Sequence, residues 1–153
     1  MRLLENKIPP PVLTVLTGAV MYAASTYTNK FVMDPIAQGL AITAVMVIAG
    51  FFGIRAIRLF NQTKTTIDPV HIENASSLVT TGIYQITRNP MYVSLTLMLC
   101  AWAIWLASPL QLIGPAFFAV FINRFQIIPE ERMMSEKFDS EYEDYKSKVR
   151  RWL

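Results

Sequence analysis

Four long stretches of this chain carry almost no charge, and they limit what it can fold into. Residues 12–28, 36–54 and 91–107 contain no charged side chain, and residues 110–128 contain only Arg124, near the end. Each stretch is 17 to 19 residues long. As helix, at about 1.5 Å rise per residue, each spans roughly 26–28 Å, close to the hydrocarbon thickness of a bilayer. The chain as a whole is 53% hydrophobic and 16% charged, where a soluble domain carries about 25% charged residues. A single soluble helical core is the alternative, but soluble helices keep a polar face. The pattern therefore predicts an all-α integral membrane protein with four transmembrane helices, a polar cytosolic loop and an amphipathic C-terminal helix.

Arg2 and Lys7 flank the first stretch as they would a signal peptide, yet no small-residue cleavage motif clearly follows. Pro9, Pro10 and Pro11 precede the apolar run and suit the first turn of a retained helix, where a missing N–H costs little. Basic residues cluster at the start (Arg2, Lys7), between helices two and three (Arg55, Arg58, Lys64, Arg88), and after helix three (Arg124, Arg132, Lys137, Lys146, Lys148, Arg150, Arg151). The turn near residues 29–35 holds only Lys30, and Ser108-Pro109 holds none. The positive-inside rule then predicts a multi-pass protein with both termini and the middle loop in the cytoplasm. Two sequons, Asn61-Gln62-Thr63 and Asn74-Ala75-Ser76, fall in that loop and read as incidental. The single cysteine, Cys100, lies mid-membrane and excludes an intrachain disulfide.

The first two helices, within residues 1–54, look like a scaffold, with Gly18, Gly39, Gly50 and Gly53 allowing close helix approach. Neither carries an intramembrane acid or base, which argues against a proton-coupled transporter. Residues 55–89 read as a long polar loop, with turn signals at Asp68-Pro69 and Thr81-Gly82. Helices three and four form a tight hairpin through Ser108-Pro109, and Pro115 is expected to kink helix four. In the tail, Phe138, Tyr142, Tyr145, Val149 and Trp152 recur at spacings of four and three, one face of a helix that would lie on the membrane, pack over the loops or close over a ligand.

Polar groups with chemical potential gather at the ends of helices three and four. Arg124 lies one turn from apolar residues and must snorkel or find a partner. Glu130 and Glu131 follow Pro129, where acids suit the first turn of a helix. Upstream stand Gly82, Tyr84, Arg88, Asn89, Pro90 and Tyr92, with Asn89 a natural N-cap for a helix opened by Pro90. Tyr84 and Tyr92 also suit an interfacial aromatic belt.

In combination, Arg88-Asn89-Pro90-Met91-Tyr92 at the start of a membrane helix and Glu130-Glu131 after the next one resemble the hallmark of the isoprenylcysteine carboxyl methyltransferase and phospholipid methyltransferase superfamily. Leu78-Val79-Thr80-Thr81-Gly82-Ile83-Tyr84 and Phe138-Asp139-Ser140-Glu141-Tyr142-Glu143-Asp144-Tyr145 are similar to two further runs of that superfamily. The likeness covers about half the chain, from Ser76 to Trp152. It implies an integral membrane enzyme, with residues 55–153 as the methyltransferase-like part of a single membrane domain. The implied reaction moves a methyl group from S-adenosylmethionine to a lipid-like or hydrophobic acceptor at the cytosolic face. Leu78, Val79, Gly82, Tyr84, Arg88, Asn89, Pro90, Tyr92, Glu130 and Glu131 would hold the cofactor. Glu130 would act at the reaction, and Arg124 would orient an anionic acceptor. No metal and no nucleic acid is implied. Asn89 stands where the family has histidine; it can donate and accept hydrogen bonds but cannot carry an imidazolium charge. Two other readings compete, an NADPH-dependent membrane reductase relative and a non-catalytic four-helix membrane adaptor.

Overall fold

Prolines and short polar residues decide where the helices begin. The computed structural model describes residues 5–63 and 78–153; Arg2, Lys64, Asp68-Pro69 and the sequon at Asn74 lie outside them. Helix α1 (Pro10–Ser25) starts on proline, as expected. Helix α2 (Pro35–Thr63) opens behind Asp34, whose Oδ2 accepts from the Ala37 N–H at 2.8 Å, an N-cap that satisfies one free donor. Helix α3 (Pro90–Leu106) again starts on proline and ends where Ala107 turns left-handed, φ 53°. After a 3₁₀ turn at Pro109–Leu112, helix α4 (Ile113–Ile122) runs through a π-turn at Asn123–Ile127 into helix α5 (Ile128–Lys148). All regular structure among the described residues is helical.

Three boundaries differ from the sequence reading. Helix α2 does not stop at the last uncharged residue but carries Arg55 and Arg58 on to Thr63, shortening the polar loop. Arginine is a good helix former and no glycine or proline interrupts the run after Gly53. Pro115 falls in the first turn of α4, which starts three residues later than the apolar block, where backbone donors have no helical partner in any case. The tail is not one continuous helical face, since Asp139 adopts φ 42° and breaks α5 between Phe138 and Tyr142.

Close packing fixes α3 between its neighbours. Ser94 Oγ donates to the Ala49 carbonyl of α2 at 2.8 Å, and a Cβ on the facing Gly53 would come within 2.8 Å of that hydroxyl. Glycine is thus what lets α2 and α3 approach here. Trp102 Nε1 donates to the Gly18 carbonyl of α1 at 3.1 Å. One apolar core joins α1, α3 and α4 through Leu13, Met21, Leu99, Phe118 and Ile122. A second joins α2, the turn at Gly82–Gln85 and α5 through Phe52, Ala56, Ile83, Tyr84 and Tyr142. The outer faces of α1 and α2 are apolar too, with Val15, Val20, Leu40 and Val47 largely exposed, the inverse of a soluble surface. Among the described residues two helices are long and apolar enough to cross a membrane, Pro35–Leu59 and the continuous Pro109–Lys148; α1 and α3 are shorter apolar helices.

Candidate functional site

The chain entering α3 meets the start of α5 at one end of the bundle. Gly82, at φ 60°, turns the backbone into the 3₁₀ segment Gly82–Gln85, a conformation an L side chain resists. That segment buries Ile83 and Tyr84 against α2 and the tail, with Leu78 and Val79 packed beside them. Pro90 and Tyr92, in the first turn of α3, are buried. The π-turn before α5 adds a residue to the helical repeat and turns the first residues of α5 toward α3. π-turns inside helices recur at functional sites.

Adjacent acids on α5 take different partners, since successive residues on a helix point about 100° apart. Tyr92 donates its hydroxyl to Glu130 Oε1 at 2.5 Å. The other carboxylate oxygen of Glu130 has no hydrogen-bond partner among the described residues. Burial pushes the Glu130 carboxyl up to about 8; the Tyr92 hydroxyl opposes this and the charge of Glu131 adds to it. Glu131 behaves in the opposite way. It accepts from Arg88 Nη2 at 2.7 Å, from Arg151 Nη2 at 2.6 Å and from Arg151 Nε at 3.0 Å. Burial raises its carboxyl, but these charge-assisted bonds outweigh burial and hold it below the ordinary carboxylate range. The pair therefore separates into one acid that resists ionising and one held ionised.

Neighbouring polar groups converge on the same end. Arg88 is nearly enclosed, with 9% of its side chain exposed. Its Nη1 donates to the carbonyls of Lys146 at 3.1 Å and Val149 at 2.6 Å, while its Nε is buried with no partner among the described residues. Burial pushes the Tyr84 phenol well above its ordinary value and the Tyr142 phenol up to about 12, so both stay neutral donors at physiological pH. Tyr145 donates to the Tyr84 carbonyl at 2.6 Å and pins the tail over the 3₁₀ segment. The tail thus packs over the segment that enters α3.

Most of the residues singled out from sequence therefore meet, namely Leu78, Val79, Gly82, Tyr84, Arg88, Asn89, Pro90, Tyr92, Glu130 and Glu131. Asn89 sits at the N-cap position but makes no side-chain cap; its Nδ2 donates to the Arg151 carbonyl at 2.9 Å instead. Arg124 is not among the side chains that meet. It lies 3.7 Å from Glu5, partly exposed, with its guanidinium over the Phe125 ring. Sequence reasoning missed Thr87, Asn123 and Arg151. Arg151 was counted only as one more cytoplasmic charge, although a half-buried Glu131 required a cationic partner from somewhere. No group of three or more potential metal ligands occurs among the described residues.

A family model described as phospholipid methyltransferase matches residues 36–141. An uncharacterized protein of Haemophilus influenzae is 51% identical over 63 residues, which are 41% of this chain and 100% of that protein. Probable protein-S-isoprenylcysteine O-methyltransferases of Oryza sativa subsp. indica and subsp. japonica are 31% identical over 97 residues, 61% of this chain and 49% of theirs. The match thus spans about half the length of the rice proteins. No solved structure matches.

Proposed function

The chain belongs to the phospholipid methyltransferase family, and from that premise we propose that it moves a methyl group from S-adenosylmethionine to an oxygen or nitrogen of a lipid-like acceptor at the cytosolic face of a membrane. All four apolar helices cross the bilayer in this reading, with both termini cytoplasmic. The charge-free outer faces of α1 and of α2 as far as Ile54, and the basic residues at the site end of the bundle, support that orientation.

The observation that carries the proposal is the open oxygen of Glu130, held on its other side by Tyr92 and facing the same cluster as Tyr84. A carboxyl group with one acceptor oxygen unfilled, beside a buried arginine with one N–H donor unfilled, suits a ligand whose amino-acid end bears both an ammonium and a carboxylate. S-adenosylmethionine is such a ligand, so the residues fit it. When bound, the cofactor supplies the activated methyl group.

This chain's own residues bind and orient. Glu130 meets positive groups or ribose hydroxyls, and Arg88 offers its Nε to a carboxylate. Tyr84 and the Asn89–Tyr92 turn line the nucleoside side. Alignment of nucleophile, methyl carbon and sulfur then contributes up to about 7–11 kcal/mol, the range of well-oriented intramolecular reactions. Arg124, exposed at the rim, would meet an anionic head group of the acceptor. Titration calorimetry of purified protein with S-adenosylhomocysteine and, separately, NADPH tests the reading. Saturable binding of the first alone is expected; binding of NADPH alone, or of neither to well-folded protein, would overturn it.

A further inference from the structure

The polar contacts that the functional reading leaves unused converge on the last residues of the chain. Beyond α5 the backbone straightens at Val149, and three successive carbonyls are captured by the entry to α3. Val149 O accepts from Arg88 Nη1 at 2.6 Å, and Arg150 O accepts from the Arg88 backbone N–H at 2.9 Å. Arg151 O accepts from Thr87 Oγ1 at 3.0 Å and Asn89 Nδ2 at 2.9 Å. The Arg151 side chain then grips both oxygens of Glu131 and reaches Asn123 Oδ1 of the π-turn at 3.1 Å. Trp152 packs against both apolar cores. One residue thus touches the start of α3, the first turn of α5 and the π-turn before it.

We propose that residues 149–151, anchored by Arg151, are a positioning element of the donor site, setting the aim of Arg88 and of the Glu130-Glu131 turn. This rests on the methyltransferase reading above. The network gives a partner to each other side-chain polar atom of Arg88 and Glu131, yet leaves open the Arg88 Nε and one oxygen of the adjacent Glu130. A clamp serving stability alone has no reason to hold a buried arginine N–H unpaired beside an open carboxyl oxygen, both fixed in place. Asn89 belongs to the same clamp, its amide spent on the Arg151 carbonyl and not on a proton-transfer role.

The test is S-adenosylhomocysteine affinity of Arg151→Ala and Arg151→Lys in the full chain, with thermal midpoints measured alongside. Both variants should stay folded and bind about tenfold or more weakly. Lysine should fail to rescue, because one ammonium cannot replace a fork that holds two carboxylate oxygens and an amide. Wild-type affinity in folded Arg151→Ala, or rescue by lysine, would overturn the proposal. If Arg151→Ala does not fold, Thr87→Val decides. It removes a buried contact to the Arg151 carbonyl while leaving the arginine in place, and weakened binding supports the clamp while unchanged binding overturns it. Failure of wild-type protein to bind S-adenosylhomocysteine would remove the functional reading, and this inference with it. Wild-type binding with unaffected variants would remove this inference alone.

Discussion

Replacing Glu130 by glutamine should flatten the alkaline loss of stability of this protein. The Glu130 carboxyl stands at about 8 against an ordinary 4.5, chiefly through burial. A folded-state value above the unfolded one gives a contribution that is full below pH 4.5 and is lost as pH rises through 8. Between pH 5.5 and 8.5 that loss amounts to about 3 kcal/mol at about 1.36 kcal/mol per tenfold change. The groups facing Glu130 are Tyr92, Tyr84 and Glu131, with Arg88 and Arg151 behind Glu131. Glu131, held below the ordinary range, changes stability only on the acid side of this window. Arg151, raised by its bond to Glu131, stays charged and Tyr84 stays neutral. Scanning fluorimetry in one detergent at both pH values should show a wild-type midpoint about 6–12 °C lower at pH 8.5, using about 2–4 °C per kcal/mol. The Glu130→Gln midpoint should move by less than half as much. Parallel pH dependence in the two proteins would refute the reasoning.

Other substitutions have equally definite outcomes. Tyr92→Phe removes the hydroxyl that Glu130 accepts and should weaken S-adenosylhomocysteine binding by about fivefold, the effect of one hydrogen bond worth about 1 kcal/mol; unchanged affinity would take the pair out of the site. Gly53→Ala brings a methyl within 2.8 Å of Ser94 Oγ and should lower stability by about 1–3 kcal/mol through overpacking, read as a lower thermal midpoint, which an unchanged midpoint would contradict. Asn89→Asp replaces the donor to the Arg151 carbonyl with a second acceptor, so it should weaken ligand binding where Asn89→His, which retains a ring N–H, does not. Equal binding by both variants would deny Asn89 its clamping role.

The apolar architecture was legible because each membrane-length block carries almost no charge, and two helix starts were legible because Pro10 and Pro90 mark them. The end of α2 was not. Charge appears at Arg55, where the apolar block ends, but helix formation depends on propensity and breakers rather than on polarity. No residue type announces the π-turn at Asn123–Ile127; it is stabilised from outside, by Asn6 N–H donating to the Phe125 carbonyl at 3.0 Å and Gln126 Nε2 donating to the Ile8 carbonyl at 2.8 Å. Local propensity made Asn89 an N-cap, and a tertiary bond overrode it. Spacing brought out Tyr92 and Glu130 through the family likeness, but could not show which of two adjacent acids is saturated. That division depends on Arg88 and Arg151, which are remote in sequence and meet only across Glu131.

Methyl transfer itself tests the account most directly. Membranes holding wild-type or Glu130→Gln protein would be incubated with S-adenosylmethionine labelled in its methyl group, and label in extracted lipid and hydrophobic peptide fractions counted. Incorporation by wild type, strongly reduced by the glutamine variant at equal protein levels, is the expected result. Incorporation no greater than in membranes without the protein, or equal in the two forms, would contradict a methyl-donor site built around Glu130.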